Sequence, residues 1–444
     1  MKTKQLLLIA VLLVVLAAGW LKAMQATDNS DEIEAQNALV VQADALAEKT
    51  LYVRAIPLYQ EALEYETDSN SAIEEKLMAA YLAFGETDAY ISLVSSRSSR
   101  GIAAEAEYLQ CAEIYLASNS LEKAMNILEV GMKKMESSET LRSFYEKNRF
   151  YYTVYMTNLS EIVPVKSGMM PVYDGSKWGY ANERGQVKMP CVYDSVTSFN
   201  ESGYAVVELN GEFKVITSAG ALYGIDETGV TDVSGITSRY VLAQANGTYS
   251  YYDYDFICRA PNYQYEEVTV NACGFAAVKK DGKWGVITDN GELTTDYIYE
   301  DVAVNATGSM FTAYGETVVG AAKKDGKWYL VTPYGTVMNA FTSGYAGLRA
   351  PEGGNLFAFC DESGKWGYLN TNGEVVVECQ YDDAYSFSDD LGAVKEDRLW
   401  HYINGDGVTV IEGHYTDAKP FINGFAVVKA AQGCTILKLD YYNN

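Results

Sequence analysis

The residue types that most often carry catalysis or hold metals are scarce in this chain and are not grouped. Its 444 residues include two histidines, His401 and His414, and neither lies near a cysteine or another histidine at metal-ligand spacing. A zinc site needs several such ligands together. The chain also has no G-x-S-x-G, no Walker A motif and no G-x-G-x-x-G that opens a helix. We therefore predict no catalytic, cofactor-binding or metal-binding residues and no enzyme activity, although a Ser-His-Asp arrangement of distant residues stays open.

Carboxylates are the one chemically capable group in excess, because 59 Asp and Glu face 34 Lys and Arg. Paired acids such as Asp382 and Asp383 can serve a glycosidase. Loops near Asp253–Asp255 and Ser388–Leu391 are candidates for Ca²⁺. However, most acids recur at turns, where Asp and Asn suit the backbone geometry, and no D-x-D-x-D-G loop occurs. Turn formation is therefore our main interpretation of these acids.

Net charge and cysteine usage limit the classes of partner. The formal net charge of −25 opposes binding to nucleic acid or to an anionic lipid surface, and weakly favours cationic partners. The seven cysteines form no C-x-x-C, and their odd number implies a free thiol or an intermolecular bond. Small buried hydrophobic side chains are their simplest interpretation.

The amino terminus is typical of an export signal. Lys2 and Lys4 precede an apolar run at 6–21, and an acidic segment follows. Such a charge distribution holds the positive end inside the cytoplasm. With Ala23 and Met24 the run roughly spans a bilayer. We predict an uncleaved single-pass anchor within 1–26, with a cleaved signal as the first alternative and a cytoplasmic core helix as the second. The anchor and the cleaved signal both place the rest of the chain outside the cytoplasm.

Residues 31–150 have the periodicity of paired helices. Small residues recur at Ala55, Ala89 and Ala124, spaced by 34 and 35 residues. Each is followed by a large residue four positions later and a small one seven positions later: Tyr59 and Ala62, Leu93 and Ser96, Leu128 and Gly131. This spacing lies on one helical stripe, where small residues let a neighbouring helix approach. The middle unit is degenerate, because the Ser-rich stretch at 95–100 is a poor helix end.

The 34-residue period resembles tetratricopeptide repeats. About three units span 35–150, and the resemblance implies a concave groove for peptides or partner helices. The alternative is a spacer without a ligand.

The second half of the chain repeats one unit eight times. The aligned positions, 34 to 44 residues apart, are Trp178, Phe213, Tyr249, Trp284, Trp328, Trp366, Trp400 and Thr435. Each unit has an alternating strand, a tight turn such as Asp281-Gly282, and a return strand that begins with the aromatic residue. A further short strand and a Tyr-acid pair complete the unit.

The repeated tryptophan is best explained by packing between units. One hairpin cannot bury an indole alone, whereas stacked hairpins can share it in a common core. Trp178, Trp284 and Trp366 are each followed by a glycine: Gly179, Gly285 and Gly367. A glycine there would leave room for an adjoining backbone or ring. The alternative is a ring of exposed indoles that stack on carbohydrate.

The array over 165–444 resembles WG repeats, also called KWG repeats, which occur in many bacterial surface and secreted proteins. The family has no defined catalytic site to transfer to these positions. The incomplete units at the two ends, including the strand in 169–174, suit a propeller-like ring, and an open β-solenoid is the alternative. We expect the extra residues of the fourth unit, Asn305–Thr317, to form a protruding loop.

These observations predict a multidomain protein: an anchor at 1–26, tetratricopeptide-like helices at 31–150 and an all-β repeat array at 165–444. The predicted function is a non-catalytic scaffold that binds protein partners at the bacterial cell envelope. The alternative is a module that binds cell-wall or other glycans, conceivably with weak hydrolase activity. No cofactor and no nucleic acid are expected.

Overall fold

The computed structural model describes residues 30–65, 67–165, 168–224, 229–237, 239–259, 264–340, 345–430 and 433–442. The chain divides into two compact units, with the boundary between Asn148 and Arg149. The predicted anchor at 1–26 lies outside the described residues. Among those that are described, no helix is both long and apolar enough to cross a membrane.

The first unit is helical. Over its described residues the helices are 30–47 (α1), Tyr52–Ala62 (α2), Asn70–Phe84 (α3), Thr87–Arg100 (α4), Glu105–Ala117 (α5), Leu121–Lys134 (α6) and Glu139–Asn148 (α7). Helices that follow each other in the chain, from α2 onward, also pack against each other. The fold of this unit therefore depends on local contacts.

The small-large-small stripes lie on the buried faces of α2 and α6. Ala55, Tyr59 and Ala62 are buried in α2, as are Ala124, Leu128 and Gly131 in α6. A Cβ on Gly131 would lie 3.0 Å from both the Leu141 and the Tyr108 side chains. The position therefore has room for no larger residue without a shift of these neighbours.

In α4 the buried stripe differs from the sequence expectation by one residue. Ala89 and Leu93 are half-buried and Ser96 is exposed, whereas the buried residues of this helix include Tyr90, Val94 and Arg97. The stretch at 95–100 is helical to Arg100 and ends at Gly101, whose φ is +74°. It is thus a proper helix end and not a poor one.

Arg97 explains why the middle unit departs from the pattern. Its guanidinium lies 2.9 Å from the carboxylates of both Glu74 in α3 and Glu107 in α5, and all three residues are buried. A buried charge is tolerated only with such partners. An ionic cluster therefore joins α3, α4 and α5. Arg97 stands 34 residues before Gly131, the glycine at the same repeat position in α6.

The second unit is a β-propeller. Its described residues contain eight separate antiparallel sheets, here called blades 1 to 8 in chain order. Strand β1 (Tyr152–Met156) comes first in the chain. Blade 1 contains β2 (Glu161–Ile162), β3 (Met170–Tyr173), β4 (Trp178–Ala181) and β5 (Val187–Tyr193). Blade 2 contains β6 (Ser195–Val196), β7 (Tyr204–Leu209), β8 (Glu212–Thr217) and β9 (Leu222–Tyr223).

The middle blades follow the same order. Blade 3 contains β10 (Val230–Ile236), β11 (Val241–Ala245) and β12 (Thr248–Tyr252). Blade 4 contains β13 (Glu267–Val268), β14 (Phe275–Lys280), β15 (Lys283–Thr288) and β16 (Leu293–Tyr299). Blade 5 contains β17 (Asp301–Val302), β18 (Phe311–Tyr314), β19 (Thr317–Lys324), β20 (Lys327–Val331) and β21 (Val337–Ala340).

The last blades complete the ring. Blade 6 contains β22 (Gly347–Leu348), β23 (Phe357–Cys360), β24 (Trp366–Leu369) and β25 (Val375–Tyr381). Blade 7 contains β26 (Asp383–Ala384), β27 (Gly392–Glu396), β28 (Leu399–Ile403) and β29 (Thr409–Tyr415). Blade 8 contains β30 (Asp417–Ala418), β31 (Phe425–Ala430) and β32 (Gly433–Leu439), with β1 as its fourth strand.

Pairing of the two ends of this unit closes the ring. Strand β1 pairs antiparallel with β32, with Tyr152 opposite Leu439 and Met156 opposite Thr435. The prediction of a propeller is confirmed, and the open solenoid is excluded. The closing strand, however, lies upstream of residue 165, where the sequence placed the start of the array. The strand within 169–174 is instead the second strand of blade 1, because Glu161–Ile162 already precedes it.

The expectation of a protruding loop at Asn305–Thr317 is wrong over most of its length. Asn305, Ser309, Met310, Phe311 and Thr312 are buried. The Asn305 side chain accepts the backbone N–H groups of Thr307 and Ser309, at 3.1 and 3.0 Å. The following residues pair with β19 as an extra strand. Apolar residues, and a turn whose N–H groups bond to the Asn305 side chain, therefore keep most of this insertion buried.

Candidate interaction site at the inner blade strands

Each blade carries one row of side chains that crosses its strands near the hairpin turn. In blade 4 the register places Glu267 opposite Lys279, Lys279 opposite Trp284, and Trp284 opposite Tyr299. Residues opposite each other in antiparallel strands project from the same face of the sheet. We call this set the transverse row, and it consists of an acid, a lysine, an indole and a phenol.

The other blades repeat the transverse row with substitutions. Blades 1, 5, 6 and 7 have Glu161-Tyr173-Trp178-Tyr193, Asp301-Lys323-Trp328, Gly347-Cys360-Trp366-Tyr381 and Asp383-Lys395-Trp400-Tyr415. Blades 2, 3 and 8 have Ser195-Glu208-Phe213, Asp232-Gln244-Tyr249-Tyr265 and Asp417-Lys429-Cys434.

The indoles pack between blades. Trp284 shares a core cluster with Val302 of blade 5, and Trp328 shares one with Leu348 of blade 6. Trp400 likewise joins a cluster with Ala418 of blade 8. The exposed fraction of these three indoles is 7, 8 and 4%. Trp178 and Trp366 are half-buried, and they lie in clusters with the first strand of the next blade.

The glycines that follow three tryptophans lie against the backbone of the fourth strand. A Cβ on Gly367 would lie 2.5 Å from the Val377 carbonyl oxygen and 2.8 Å from the Cys379 nitrogen. Gly179 and Gly285 meet the carbonyl oxygens of Met189 and Thr295 at 2.6 and 2.8 Å. Real Cβ atoms do not approach backbone this closely, so the close approach of the two strands requires glycine.

Cations lie over several indoles. The ammonium groups of Lys279 and Lys395 lie 5.7 and 5.9 Å from the ring centroids of Trp284 and Trp400. In blade 6, where the row has Cys360 instead of lysine, the Arg349 guanidinium lies 4.7 Å from the Trp366 ring. Each arrangement is a cation–π contact. Three blades therefore hold an indole beneath a positive charge.

A second interblade contact was not apparent from the sequence. Tyr180, Tyr368 and Tyr402 stand two residues after a tryptophan and are fully buried. Their hydroxyls donate to backbone carbonyl oxygens of the next blade, those of Thr197, Tyr385 and Lys419, at 2.9, 3.0 and 2.8 Å. Burial raises the pKa of all three phenols, which keeps them protonated as donors.

An aromatic ring from the next blade covers each of these tyrosines. The centroid distances are 4.6 Å for Tyr180–Phe199, 4.7 Å for Tyr368–Phe387 and 4.9 Å for Tyr402–Phe421. The sequence signal was the coincidence of W-x-Y with a phenylalanine 19 residues after the tyrosine. It occurs in the same three blades.

Several acids of the propeller, among them the candidate Asp382, bond to hairpin turns or to lysines of a neighbouring blade. The Glu266 and Glu300 carboxylates accept backbone N–H groups of Gly282 and Gly326 in the hairpin turns, at 3.3 and 3.1 Å. Lys177 and Lys365 bond to Asp194 and Asp382 of the following blade, and these bonds lower the pKa of both aspartates. Turn geometry and ion pairing between blades therefore account for these positions.

The acids of the two candidate Ca²⁺ loops also accept backbone N–H groups. Asp253 accepts the backbone N–H groups of Asp255 and Ile257 and pairs with Arg259. Asp389 accepts the Gly424 N–H at 2.7 Å, and burial raises its pKa, which this hydrogen bond partly offsets. Within the described ranges, no group of three or more His, Cys, Asp or Glu could hold a metal ion.

The two histidines lie on paired strands of blade 7, β28 and β29. His401 is half-buried beside the Tyr381 ring, at a centroid distance of 6.2 Å, and burial lowers its pKa. His414 is exposed. His401 occupies the position after Trp400 that Gly367 takes after Trp366.

Residues at or next to the first strands of blades 6, 7 and 8, together with Trp366 of β24, form a half-buried cluster of cations, aromatic rings and acids. Arg349 bonds to Asp383 at 2.7 Å and stacks over Trp366. Lys419 lies 3.2 Å from both Asp417 and the Tyr385 hydroxyl. Desolvation lowers the pKa of Lys419, but Tyr385 and then Asp417 more than offset it, so the pKa is raised. We call Arg349, Trp366, Asp383, Tyr385, Asp417 and Lys419 the inner cluster.

Blade 8 is the one blade whose row has no aromatic side chain. The register places Cys434 opposite Lys429, which corrects the alignment of Thr435 with the tryptophans. Cys434 is buried, and its thiol donates to the Ser160 carbonyl oxygen at 3.3 Å. Burial raises the pKa of this thiol. A cavity of about 150 Å³ lies beside it, between blade 8 and the first strand of blade 1.

Comparison with known proteins supports the repeat. The family model "WG containing repeat" matches residues 178–213, 262–284, 366–400 and 402–430. No protein with a curated description matches the chain.

Solved structures that resemble the chain do so at low similarity. One is Hsv2 of Kluyveromyces lactis, with 10% identity, a TM-score of 0.37, and 64% of this chain and 99% of that chain covered. Another is the WD40 domain of SCAP from fission yeast, with 7% identity, a TM-score of 0.40, and 65% and 98% covered. A third is PorZ of Porphyromonas gingivalis, with 11% identity, a TM-score of 0.32, and 62% and 42% covered.

These likenesses carry no argument about function. Four stretches of the chain are thus similar to the WG containing repeat, and they contribute to the blades of an eight-bladed β-propeller.

Proposed function

We propose that this protein is a non-catalytic scaffold that binds protein partners through the inner cluster of its propeller. The observation that carries the proposal is the composition of that cluster. Arginine, tyrosine and tryptophan are the residues enriched at the energetic centres of protein interfaces. Here they lie side by side and remain partly accessible, with 36% of the Arg349 side chain and 29% of the Lys419 side chain exposed.

Protein binding is favoured over glycan binding by the burial of the indoles. Trp284, Trp328 and Trp400 are at most 8% exposed. A sugar ring needs an open aromatic face on which to stack, and these three rings are covered by the next blade. The half-buried Trp366 is already covered by Arg349.

The helical unit would supply a second binding surface. Its buried stripes in α2 and α6 support the resemblance to tetratricopeptide repeats, whose concave grooves take peptides or partner helices. We further propose that the protein acts at the bacterial cell envelope, held by the apolar segment at 6–21, with its bulk outside the cytoplasm. The apolar run after Lys2 and Lys4 supports this placement.

The test is affinity capture of partners from the native membrane with full-length protein. The variant Arg349→Ala/Tyr385→Ala removes the centre of the inner cluster. The control is Tyr334→Ala, which removes an exposed tyrosine of the same propeller, 68% accessible. We expect the control to retain the wild-type set of proteins and the double variant to lose at least one of them, with unchanged circular dichroism for both.

Equal capture by the double variant and the control would contradict binding at the inner cluster. A deletion of residues 31–150, tested in parallel, shows which partners need the helical unit. Retention of purified glycans by wild-type protein, with no protein partner captured, would support the glycan function instead.

A further inference from the structure

The cavity at the seam between blades 8 and 1 occupies the place that an indole fills elsewhere in the ring. In blades 4, 5 and 7 the aromatic residue of the transverse row packs against the first strand of the next blade. In blade 8 the equivalent residue is Cys434, and it shares a core cluster with Ile162 in the first strand of blade 1. A thiol is far smaller than an indole, and the cavity of about 150 Å³ lies at this contact.

The walls of the cavity combine apolar and charged side chains, and they include Glu161 and also Lys419 of the inner cluster. Ile162, Val163 and Val427 supply apolar surface, and Lys429 and Asp417 are the lysine and the acid of the same row. In blades 4 and 7 the lysine at this position lies 5.7 and 5.9 Å from an indole centroid. In blade 8 the corresponding lysine, Lys429, lies beside the cavity and not beside an indole.

We propose that the seam cavity accepts an aromatic side chain, an indole or a phenol, from a protein partner. This inference rests on the proposed scaffold function and specifies what the partner presents. The inserted ring would complete the transverse row of blade 8, with Lys429 against its face. The cavity has polar as well as apolar walls and is partly open, and its volume of about 150 Å³ is that of cavities that admit benzene. The carbonyl oxygens and acids at its edge can accept an indole N–H.

The position of the cavity suits a ligand that joins the two ends of the propeller. One wall belongs to blade 1, which follows closing strand β1, and the other belongs to blade 8, the last in the chain. Ala306 of blade 5 also reaches the cavity, because the buried insertion crosses towards these blades. A ring inserted here would contact three blades at once, so binding should stabilise the closed ring.

The test uses free indole as the probe and measures its binding to the full-length protein by nuclear magnetic resonance and calorimetry. We expect saturable binding of indole and of phenol, and at least about fivefold weaker binding of cyclohexanol, which has no aromatic face. Lys429→Met should weaken indole binding by about three- to tenfold, the range of a cation–π contact. The matched control is Lys395→Met, the same row position in blade 7, where Trp400 already occupies the space.

A second pair of variants fills the cavity. Cys434→Trp should abolish indole binding and raise the melting temperature, and Cys434→Met provides a smaller, flexible filling if the tryptophan variant does not fold. Absence of saturable binding, equal binding of cyclohexanol, or equal losses from Lys429→Met and Lys395→Met would overturn the inference. Because the probe is a free ring and not a partner, such a result would leave capture of proteins by the inner cluster intact.

Discussion

Blades 6 and 7 meet the same steric requirement with opposite residues. In blade 6, Gly367 follows the tryptophan and Cys379 stands opposite on the fourth strand. In blade 7, His401 follows the tryptophan and the glycine, Gly413, is on the fourth strand instead. A Cβ on Gly413 would lie 2.9 Å from the Trp400 carbonyl oxygen. In these two blades one glycine lies where the third and fourth strands approach, on the third strand in blade 6 and on the fourth strand in blade 7.

This exchange shows what the repeat signature does. The Trp-Gly pair is not a recognition motif, because blade 7 keeps the same bulged register without it. The indole is held between blades, and the glycine lets the neighbouring backbone approach.

The largest difference is expected from removal of the indole. Trp400→Ala should reduce the free energy of unfolding by about 4 kcal/mol, since it deletes a buried aromatic side chain and leaves a cavity. Trp366→Ala should cost about half as much, because Trp366 is half-buried. Denaturant unfolding of the full chain measures both. A larger loss for Trp366→Ala than for Trp400→Ala would contradict the packing described here.

The next effect tests the glycine of blade 6. Gly367→Ala should cost about 3 kcal/mol, because its Cβ would meet the backbone of β25. The control is Gly405→Ala, whose Cβ would have no neighbour closer than 3.9 Å, and it should cost well under about 1 kcal/mol.

A double variant can give blade 6 the residues that blade 7 has at these two positions, His401 and Gly413. Gly367→His should be strongly destabilising alone, and addition of Cys379→Gly should restore at least half of the loss, since it reproduces the arrangement of blade 7. A double variant no more stable than Gly367→His would show that the two blades are not interchangeable at this point.

A smaller and equal effect is expected in the two blades from the buried tyrosines. Tyr368→Phe and Tyr402→Phe should each cost about 1 kcal/mol, because each leaves a buried carbonyl oxygen of the next blade without its donor. Tyr334→Phe, at an exposed tyrosine, serves as the control and should be neutral. If the losses in unfolding free energy of Tyr368→Phe and Tyr402→Phe differ by more than about 1 kcal/mol, the two tyrosine contacts are not equivalent.

The smallest effect should be stabilising and is specific to blade 7. Its hairpin turn has Arg398 at φ +72°, where blade 4 has Gly282 at φ +75°. Arg398→Gly should raise the free energy of unfolding by about 0.5–1 kcal/mol, since a side chain is strained in this conformation. Arg398→Ala keeps the Cβ and removes the charge, so it should give no gain. A gain from the alanine variant would assign the effect to charge.

The sequence was sufficient for features that repeat locally. The eight-unit period, the tight turns and the packing glycines are encoded within about 35 residues each, so their spacing was visible. The sequence aligned Thr435 and not Cys434 with the tryptophans, because Gly433 of blade 8 stands one residue before Cys434, whereas Gly282 of blade 4 stands two residues before Trp284. The tyrosine contacts were missed because their partners lie in the next blade.

Long-range features could not be predicted in the same way. The closing strand at Tyr152–Met156 is recognised only by its pairing with the end of the chain. Burial of the fourth-unit insertion depends on contacts such as the bond from the Ala306 N–H to Glu352, 2.7 Å long and 46 residues away. In the helical unit, Arg97 is buried only because Glu74 and Glu107 reach it from two other helices.

Hydrogen exchange of the full-length Trp400→Ala variant tests most directly whether the indoles join adjacent blades. If Trp400 seals blade 7 to blade 8, protection should fall in β28 and also in the inner strands of blade 8, β30 and β31, while blades 3 and 4 keep wild-type protection. Loss of protection confined to blade 7, with blade 8 unchanged, would contradict the role assigned to these side chains.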